Sequence, residues 1–127
     1  MKYCFVILIC LILFWGCEDN RPVVGSYPVT GFATWYNPSS LASGERYHEN
    51  EFTCAMRKRE FGKYYLVCNL ENNKCAVAKH NDFGPSLNLF KKGRIIDLSR
   101  FAFFKVADLR KGVIRVRIGE IHAGKVD

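Results

Sequence analysis

The sequence predicts a mainly β domain in which about six short strands and one small helix close into a barrel. The chain has 127 residues, enough for one domain with one core. Its clearest element alternates apolar Ile114, Val116 and Ile118 with charged Arg115 and Arg117, the period of a strand with one buried face. Short strands leave exposed edges in an open sheet, whereas a closed barrel leaves none.

The first half of the domain supplies most of the strands. Residues 30–36 alternate bulky and small side chains and end at a proline-containing break. A short apolar segment, 52–56, and a basic connection follow. Residues 64–70 and 74–80 predict the two strands of a hairpin, joined by a polar turn around Asn72-Asn73.

The second half of the domain adds one strand and the helix before the alternating strand at its end. Residues 95–98 are apolar around one acidic side chain and predict a short strand. Ser99 is a suitable N-cap, so a helix is expected over residues 100–109, ending before Gly112.

The first 28 residues predict export and a membrane tether. Lys2 precedes an apolar run over residues 3–15 that is shorter than the ~18 residues of a membrane span, which predicts a signal peptide at 1–16. The run ends at Gly16-Cys17, which resembles a bacterial lipobox with phenylalanine at a position that usually holds leucine. We therefore expect lipid on Cys17; an ordinary cleaved signal or an uncleaved anchor are the alternatives.

These boundaries divide the chain into four parts. A tether at 17–28 follows the signal peptide, the folded domain covers 29–122, and 123–127 form a tail. The expected location is the cell envelope, with the protein held to a membrane by its lipid.

The chain is basic, with a formal charge of +7 and a pI near 9.2. Lys2 is the only charged residue of the predicted signal peptide, so its removal leaves about +6. Basic proteins favour polyanions. An exported protein meets cell-wall glycans bearing carboxylates and anionic lipid headgroups before nucleic acid, so we expect no nucleic-acid partner.

The cysteine pattern indicates at most one disulfide in the domain. Of six cysteines, Cys54, Cys68 and Cys75 lie in the domain, and one pair plus one buried thiol is the simplest arrangement in an oxidising compartment. A turn at Asn72-Asn73 makes Cys68 and Cys75 diagonal neighbours, too far apart to bond, whereas a turn at Glu71-Asn72 makes them opposite. No zinc-ligand spacing occurs in the sequence, so neither a metal nor a cofactor is predicted.

Asp82 is the strongest candidate for chemistry. Gly84-Pro85 must end the strand that precedes it, which places Asp82 at a strand end beside Phe83. A carboxyl group there can be partly desolvated, which suits it to proton donation. The alternative is that Asp82 only hydrogen-bonds the backbone of its own turn. His80 either tunes the pKa of Asp82, or merely packs or is solvated.

Six motifs stand in order along about 90 residues of the chain. They are Gly31-Phe32-Ala33-Thr34-Trp35-Tyr36, Ser43-Gly44-Glu45, Thr53-Cys54-Ala55, Asn69-Leu70-Glu71-Asn72, Asn81-Asp82-Phe83-Gly84-Pro85 and Gly93-Arg94-Ile95-Ile96-Asp97-Leu98-Ser99. Together they resemble the motifs of the rare lipoprotein A family. The resemblance implies a six-stranded double-psi β-barrel related in fold to expansins, and the activity of a septal lytic transglycosylase on peptidoglycan strands stripped of their peptides.

The resemblance also implies site residues. The two acidic site residues of the family fall on Glu45 and Asp82. A third position falls on Met56, where the type members have a histidine that ends a Thr-Ala-Ala-His motif, and methionine can neither donate nor accept a proton. Asn37 stands where the family has glycine, a change that asparagine's tolerance of positive φ can absorb.

These residues lead to a first hypothesis, a lytic transglycosylase. Asp82 protonates the glycosidic oxygen and then accepts the proton of the muramic acid C6 hydroxyl, while Glu45 stabilises developing positive charge or positions the substrate. Tyr36 and Trp35 offer apolar surface to a sugar ring, although a tryptophan in an alternating strand is also a typical core residue. Asp97 is a further candidate for substrate binding; alternatively it holds a loop or caps the helix.

Two other functions stay open at this point. A non-catalytic glycan-binding or wall-loosening module like the expansins would use the same groove, and Met56 favours it. A small lipoprotein that binds division-site or envelope proteins through its basic face is the third.

Overall fold

The computed structural model describes residues 29–122. The predicted signal peptide, the tether with Cys17 and the tail at 123–127 lie outside the described residues. Within 29–122, no helix is both long and apolar enough to cross a membrane.

Six strands form a closed barrel, as predicted from the sequence. Around the barrel they follow the order β1-β5-β2-β4-β3-β6, so every strand has two neighbours and no edge is left open. The strands are β1 (Val29–Tyr36), β2 (Thr53–Met56), β3 (Tyr64–Asn69), β4 (Cys75–Phe83), β5 (Arg94–Ser99) and β6 (Val113–Ile121).

Two of the strand pairs are parallel, and each contains an irregularity. β1 pairs parallel with β5, with a register shift between Phe32 and Ala33. β2 pairs parallel with β4, with a shift between Cys54 and Ala55. The second shift sets Ala55 opposite Asp82 and leaves Asn81 as the extra residue of β4. The bulge therefore places Asp82, rather than Asn81, opposite Ala55 of β2.

The helices differ in part from the prediction. A helix α1 (Leu87–Lys91), which the sequence did not predict, precedes β5. The predicted helix, α2 (Arg100–Val106), begins at Ser99, whose hydroxyl accepts the N–H of Ala102 as a cap. The prediction that this helix reaches residue 109 is wrong. A separate 3-10 turn, Leu109–Lys111, follows it.

The early end of α2 has a physical cause. Ala107 is extended, with φ −158° and ψ 163°. The carbonyl of Val106 accepts hydrogen bonds from the side-chain amides of Asn69, at 3.0 Å, and Asn72, at 2.9 Å. These two asparagines satisfy a carbonyl that has no helical partner at a helix end.

The core fills the barrel and continues beneath α2. Ile114, Val116 and Ile118 of β6 are buried while Arg115 and Arg117 are exposed, so the predicted alternation is confirmed. Phe103 of α2 is fully buried with the barrel residues Ile96 and Leu98.

The β3–β4 hairpin corrects one predicted register. Cys68 pairs directly with Cys75, and the two form a disulfide bond. The turn is therefore not centred on Asn72-Asn73. Because the Asn69 N–H bonds the Lys74 carbonyl, the turn is centred on Glu71-Asn72, the alternative that sets the two cysteines opposite each other. Cys54 is the free, buried cysteine of the described residues, so the expected arrangement of one pair and one buried thiol is confirmed.

Two neighbouring phenylalanines of α2 test this packing. Replacing Phe103 by alanine should lower the free energy of unfolding by about 3–5 kcal/mol, because a fully buried ring leaves a cavity. Phe104→Ala is the matched control: that ring is 64% exposed, and its loss should change stability by only ~0.5 kcal/mol. Urea unfolding measures both, and similar losses in the two variants would contradict this arrangement of α2.

Alkylation of the thiols tests the cysteine arrangement. Burial, with a smaller contribution from Asp97, raises the pKa of the Cys54 thiol well above its usual range, so Cys54 should resist iodoacetamide in the folded protein. Denaturation without reductant should expose Cys54 but neither Cys68 nor Cys75, as peptide mapping by mass spectrometry would show. Labelling of Cys54 in the folded state, or of the hairpin cysteines before reduction, would count against the structure.

Candidate active site

Four side chains form a row across neighbouring strands of the barrel. Thr34 of β1 pairs with Asp97 of β5, Asp97 pairs with Ala55 of β2, and Ala55 pairs with Asp82 of β4. Residues paired in register point to the same face of a sheet. Because neighbouring strands are about 4.8 Å apart, the Cα atoms of the two aspartates lie ~10 Å apart with only a methyl group between them.

Asp82 is held by three hydrogen bonds. Its Oδ1 accepts the backbone N–H of Ala42 at 2.8 Å and of Phe83 at 2.9 Å. Its Oδ2 accepts the hydroxyl of Tyr36 at 2.7 Å. Both carboxylate oxygens are therefore oriented, and the residue is buried, with 7% of its surface exposed.

Tyr36, which the sequence analysis assigned to the same site as Asp82, lies beside it. Burial, followed by the hydrogen bond and charge of Asp82, raises the pKa of the Tyr36 phenol far above its usual range. The hydroxyl thus stays protonated and donates to the carboxylate. The Tyr47 hydroxyl in turn donates to the Tyr36 carbonyl, at 3.4 Å, and to Asn37 Oδ1, at 3.3 Å.

Asp97 is buried in a different set of contacts. Its Oδ1 accepts the Thr34 hydroxyl at 2.8 Å and pairs with Arg94 Nε at 2.7 Å. Its Oδ2 faces Gly84, where an added Cβ would lie 3.6 Å from that oxygen and 3.8 Å from the Ala55 methyl. The Gly84 backbone thus closely approaches Asp97 and Ala55. Ser99, not Asp97, caps α2.

Glu45 lies on a neighbouring loop with its own partners. Its Oε1 pairs with Lys79 Nζ at 3.0 Å, and its Oε2 accepts the Asn81 side-chain amide at 3.4 Å. Lys79 is the main reason that the pKa of Glu45 is lowered. The carboxylate is 43% exposed. Its bonding partners therefore differ from those of Asp82.

Trp35 faces away from Tyr36, because successive residues of a strand point to opposite faces. Its indole N–H donates to the Leu109 carbonyl at 3.0 Å, and its ring packs against the core. This geometry supports the alternative that Trp35 is a core residue.

His80 and Met56 also point into the core. The His80 ring is fully buried between Phe61 and Tyr65, and its Nε2 is hydrogen-bonded to the Lys58 carbonyl. Met56 is 8% exposed and belongs to the core cluster. The structure therefore favours a packing role for His80.

Thr34 and Arg94 hold Asp97, and sequence reasoning assigned neither of them a role. Arg94 stands three residues before an acidic side chain, which was the available signal for an ion pair. Nothing in the alternation of β1 could connect Thr34 with Asp97, because the parallel pairing of β1 and β5 joins residues 63 apart in sequence. Within residues 29–122, no three potential metal ligands form a group.

Comparison with curated proteins gives several relatives. The chain is 40% identical over 96 residues to the endolytic peptidoglycan transglycosylase RlpA of Pasteurella multocida. The aligned region covers 72% of this chain and 31% of that protein. It is 35% identical over 104 residues to the protein of the same name from Haemophilus influenzae, covering 79% of this chain and 35% of the relative. The chain thus spans about a third of the length of these relatives.

Solved structures share the fold at low identity. A Streptomyces papain inhibitor superposes with a TM-score of 0.63 at 22% identity, covering 80% of this chain and all of that chain. The apo expansin of Clavibacter michiganensis gives 0.56 at 18% identity, covering 77% of this chain and 52% of the expansin. Both likenesses concern the barrel alone.

A family model described as lytic transglycolase matches residues 28–118, which include all six strands except for the last three residues of β6. This match agrees with the closed six-stranded barrel that the structure shows. The chain belongs to the rare lipoprotein A family of double-psi β-barrels.

Proposed function

We propose that the chain is a lytic transglycosylase-like protein of the cell envelope that cleaves peptidoglycan glycan strands. The observation that carries the proposal is Asp82, a buried carboxyl group with both oxygens oriented, in one row with Ala55 and Asp97. The relatives named above as peptidoglycan transglycosylases support the same substrate class.

In the proposed reaction Asp82 acts first as an acid and then as a base. It gives its proton to the glycosidic oxygen as the bond from that oxygen to the muramic C1 breaks. It then takes the proton of the C6 hydroxyl on the same residue as the C6 oxygen bonds to C1. The products are a free hydroxyl and a 1,6-anhydro end, and no water is consumed. One carboxyl group therefore suffices, unlike the two-carboxylate hydrolases.

The other site residues have supporting roles in this proposal. Tyr36 and the backbone at Ala42 fix the plane of the Asp82 carboxyl group. Glu45, kept ionised by Lys79, stabilises positive charge at the anomeric carbon. Asp97 contacts a sugar hydroxyl through Oδ2, and Tyr36 offers ring surface to the glycan strand.

We further propose that the domain at 29–122 acts at a membrane surface. A signal peptide at 1–16 directs export, lipid on Cys17 anchors the protein, and 17–28 form the tether. Two or more acyl chains anchor a protein stably, whereas one binds only marginally. The substrate in this proposal is a strand free of peptides.

A second candidate function is a non-catalytic, expansin-like glycan-binding module. Met56 favours it, because this position holds histidine in the family's type members and here carries a thioether packed in the core. Such a module would bind the same strands and release nothing.

Asp82→Asn separates the two functions. The asparagine Oδ1 can still accept from Ala42 and Phe83, and its amide can donate to the Tyr36 oxygen, so the melting temperature and glycan binding should stay unchanged. Release of soluble product from peptide-free glycan should be lost, because the proton donor is gone. Mass spectrometry should show wild-type products lighter by one water than reducing ends.

Glu45→Gln is the matched control for Asp82→Asn. It should reduce the rate by at most ~10²–10³-fold and leave measurable turnover, because an electrostatic stabiliser is not the proton donor. No release by the wild-type protein would favour the binding module, and reducing ends in the product would mean hydrolysis.

Cys17→Ala tests the anchor. Wild-type protein should fractionate with membranes and carry acyl mass on Cys17, and the variant should carry none and not be cleaved at the Gly16-Cys17 bond. Processing of the variant at that bond together with unchanged membrane binding would refute the lipid anchor.

A further inference from the structure

The short helix α1 exposes its apolar side chains. None of its five residues is buried, and Leu87, Leu89 and Phe90 are between 36% and 48% exposed. A surface helix of a globular domain normally buries its apolar residues against the core. This helix therefore presents apolar area that the described residues leave uncovered.

The start of β1 continues this apolar area. Val29 and Phe32 are also exposed, and Val29 and Phe90 line one cavity of about 260 Å³. Gly93 joins Phe32 to α1, because its N–H donates to the Phe90 carbonyl at 2.9 Å and its carbonyl accepts the Phe32 N–H at 2.8 Å. Leu87 and Phe90 are three residues apart and lie on one side of α1. These four exposed residues, Val29, Phe32, Leu87 and Phe90, form the apolar end of the barrel.

Basic side chains flank the apolar end. Lys91 and Lys92 directly follow Phe90 and are exposed. Arg57 and Lys58 line the same cavity as Phe90. In the described part of the chain, none of the ion pairs includes any of these four basic residues. Their charges are therefore not neutralised by the described fold.

The acidic residue of the cavity does not cancel this charge. Glu120 lines the cavity and pairs with Lys63 Nζ at 3.2 Å. Lys63 in turn pairs with Glu60 at 2.6 Å. One lysine thus shares these two acids, which leaves the four basic residues in excess and the apolar end positive.

The cavity and the row that holds Asp82 lie on opposite faces of β2. Met56 lines the cavity, whereas its neighbour Ala55 belongs to the row. Successive residues of a strand point to opposite faces of the sheet. A partner bound at the cavity therefore does not need the side chains of the row.

The predicted tether joins the domain at this same end. Val29 directly follows residues 17–28, which span at most ~40 Å when fully extended. In the proposed anchoring, lipid on Cys17 keeps the apolar end within that distance of the bilayer. Tethering at short range raises the effective concentration of the surface at the membrane, so a weak contact is enough to orient the domain.

An anionic bilayer complements this surface in both respects. Apolar side chains insert into the boundary between headgroups and acyl chains, and basic side chains beside them bind anionic headgroups. Lysine also lays its apolar stem along such a surface while its charge stays in water. A second copy of the chain complements the surface less well, because two positive ends repel each other.

We propose that the apolar end and the basic residues that flank it dock the domain on an anionic phospholipid bilayer. The lipid tether holds the domain near the bilayer, and this surface fixes its orientation there. The inference rests on the proposed membrane tether and is independent of the proposed cleavage reaction.

Two indole probes on different helices test the docking. Phe90→Trp places a probe on the apolar end, and Phe104→Trp places the matched control on α2, which follows β5 where α1 precedes it. Both variants are expressed from the full chain, purified with their lipid and mixed with vesicles of brominated phosphatidylcholine, with or without phosphatidylglycerol. Brominated acyl chains quench an indole at the headgroup boundary, and wild-type protein gives the background from its own tryptophans.

Quenching should depend on the position of the probe and on charge. In vesicles with phosphatidylglycerol, quenching of Phe90→Trp should exceed that of Phe104→Trp about threefold, because only the first probe reaches the acyl boundary. Adding Lys91→Gln and Lys92→Gln should weaken the docking equilibrium about 25-fold, because each basic residue near an anionic surface contributes about fivefold.

Lys74→Gln with Lys105→Gln is the matched charge control. It removes two exposed lysines close to Phe104 and should leave quenching of Phe90→Trp unchanged. Equal quenching of the two probes, an equal loss in the charge control, or undiminished quenching by phosphatidylcholine alone would overturn the docking surface. Concentration-dependent dimers without any quenching would assign the apolar end to a second copy and overturn it as well.

The outcomes separate this inference from the proposed function. If wild-type protein carries no acyl mass on Cys17, the anchor fails, and the docking surface stands only if anionic vesicles still quench Phe90→Trp. If wild-type protein releases no product from glycan, the proposed reaction fails, and the quenching alone decides the docking surface. The variants at Lys91 and Lys92 should leave glycan release without vesicles unchanged.

Discussion

The position of Ala55 between two buried aspartates is the constraint on which the rest of the site depends. β2 is only four residues long, yet it pairs with β4 on one side and with β5 on the other. A larger side chain at Ala55 would fill the space that Gly84 approaches. Without the bulge that leaves Asn81 of β4 unpaired, the regular register would set Asn81 opposite Ala55 in place of Asp82. The small residue and the bulge together set Asp82 beside a position that carries only a methyl group.

The barrel stabilises its two buried aspartates in different ways. Asp97 has a counter-ion, Arg94, and a hydroxyl donor, Thr34. Asp82 has only neutral donors: Tyr36 and two backbone N–H groups. A buried charge that has lost its water needs such partners. The absence of a formal positive charge among the hydrogen-bond donors to Asp82 is the chief physical difference between the two sites, and it is consistent with proton transfer at Asp82 and with a fixed role at Asp97.

Local pattern predicted the strands well and their pairing poorly. The alternation of β6 and the cap at Ser99 depend on neighbouring residues, and both are confirmed. The end of α2 depends on Asn69 and Asn72, which are distant in sequence, so the prediction extended the helix too far. The motif resemblance identified Asp82, Tyr36 and Asp97 as candidates. Only the parallel pairing of the strands, which alternation does not encode, could show that Thr34 holds Asp97.

The site leaves one group for proton transfer in the proposed reaction. Met56 has no proton to give, and its thioether lies in the core. Lys79 lowers the pKa of Glu45, so that carboxylate is a poor acid near neutral pH, while burial and Asp82 raise the pKa of Tyr36, so its phenol is a poor acid as well. Asp97 is committed to Arg94. Closing a 1,6-anhydro ring needs no second base to activate water, because the nucleophile belongs to the substrate. A site with a single acid–base group therefore meets the needs of the proposed reaction, in which the second carboxylate has no proton to transfer.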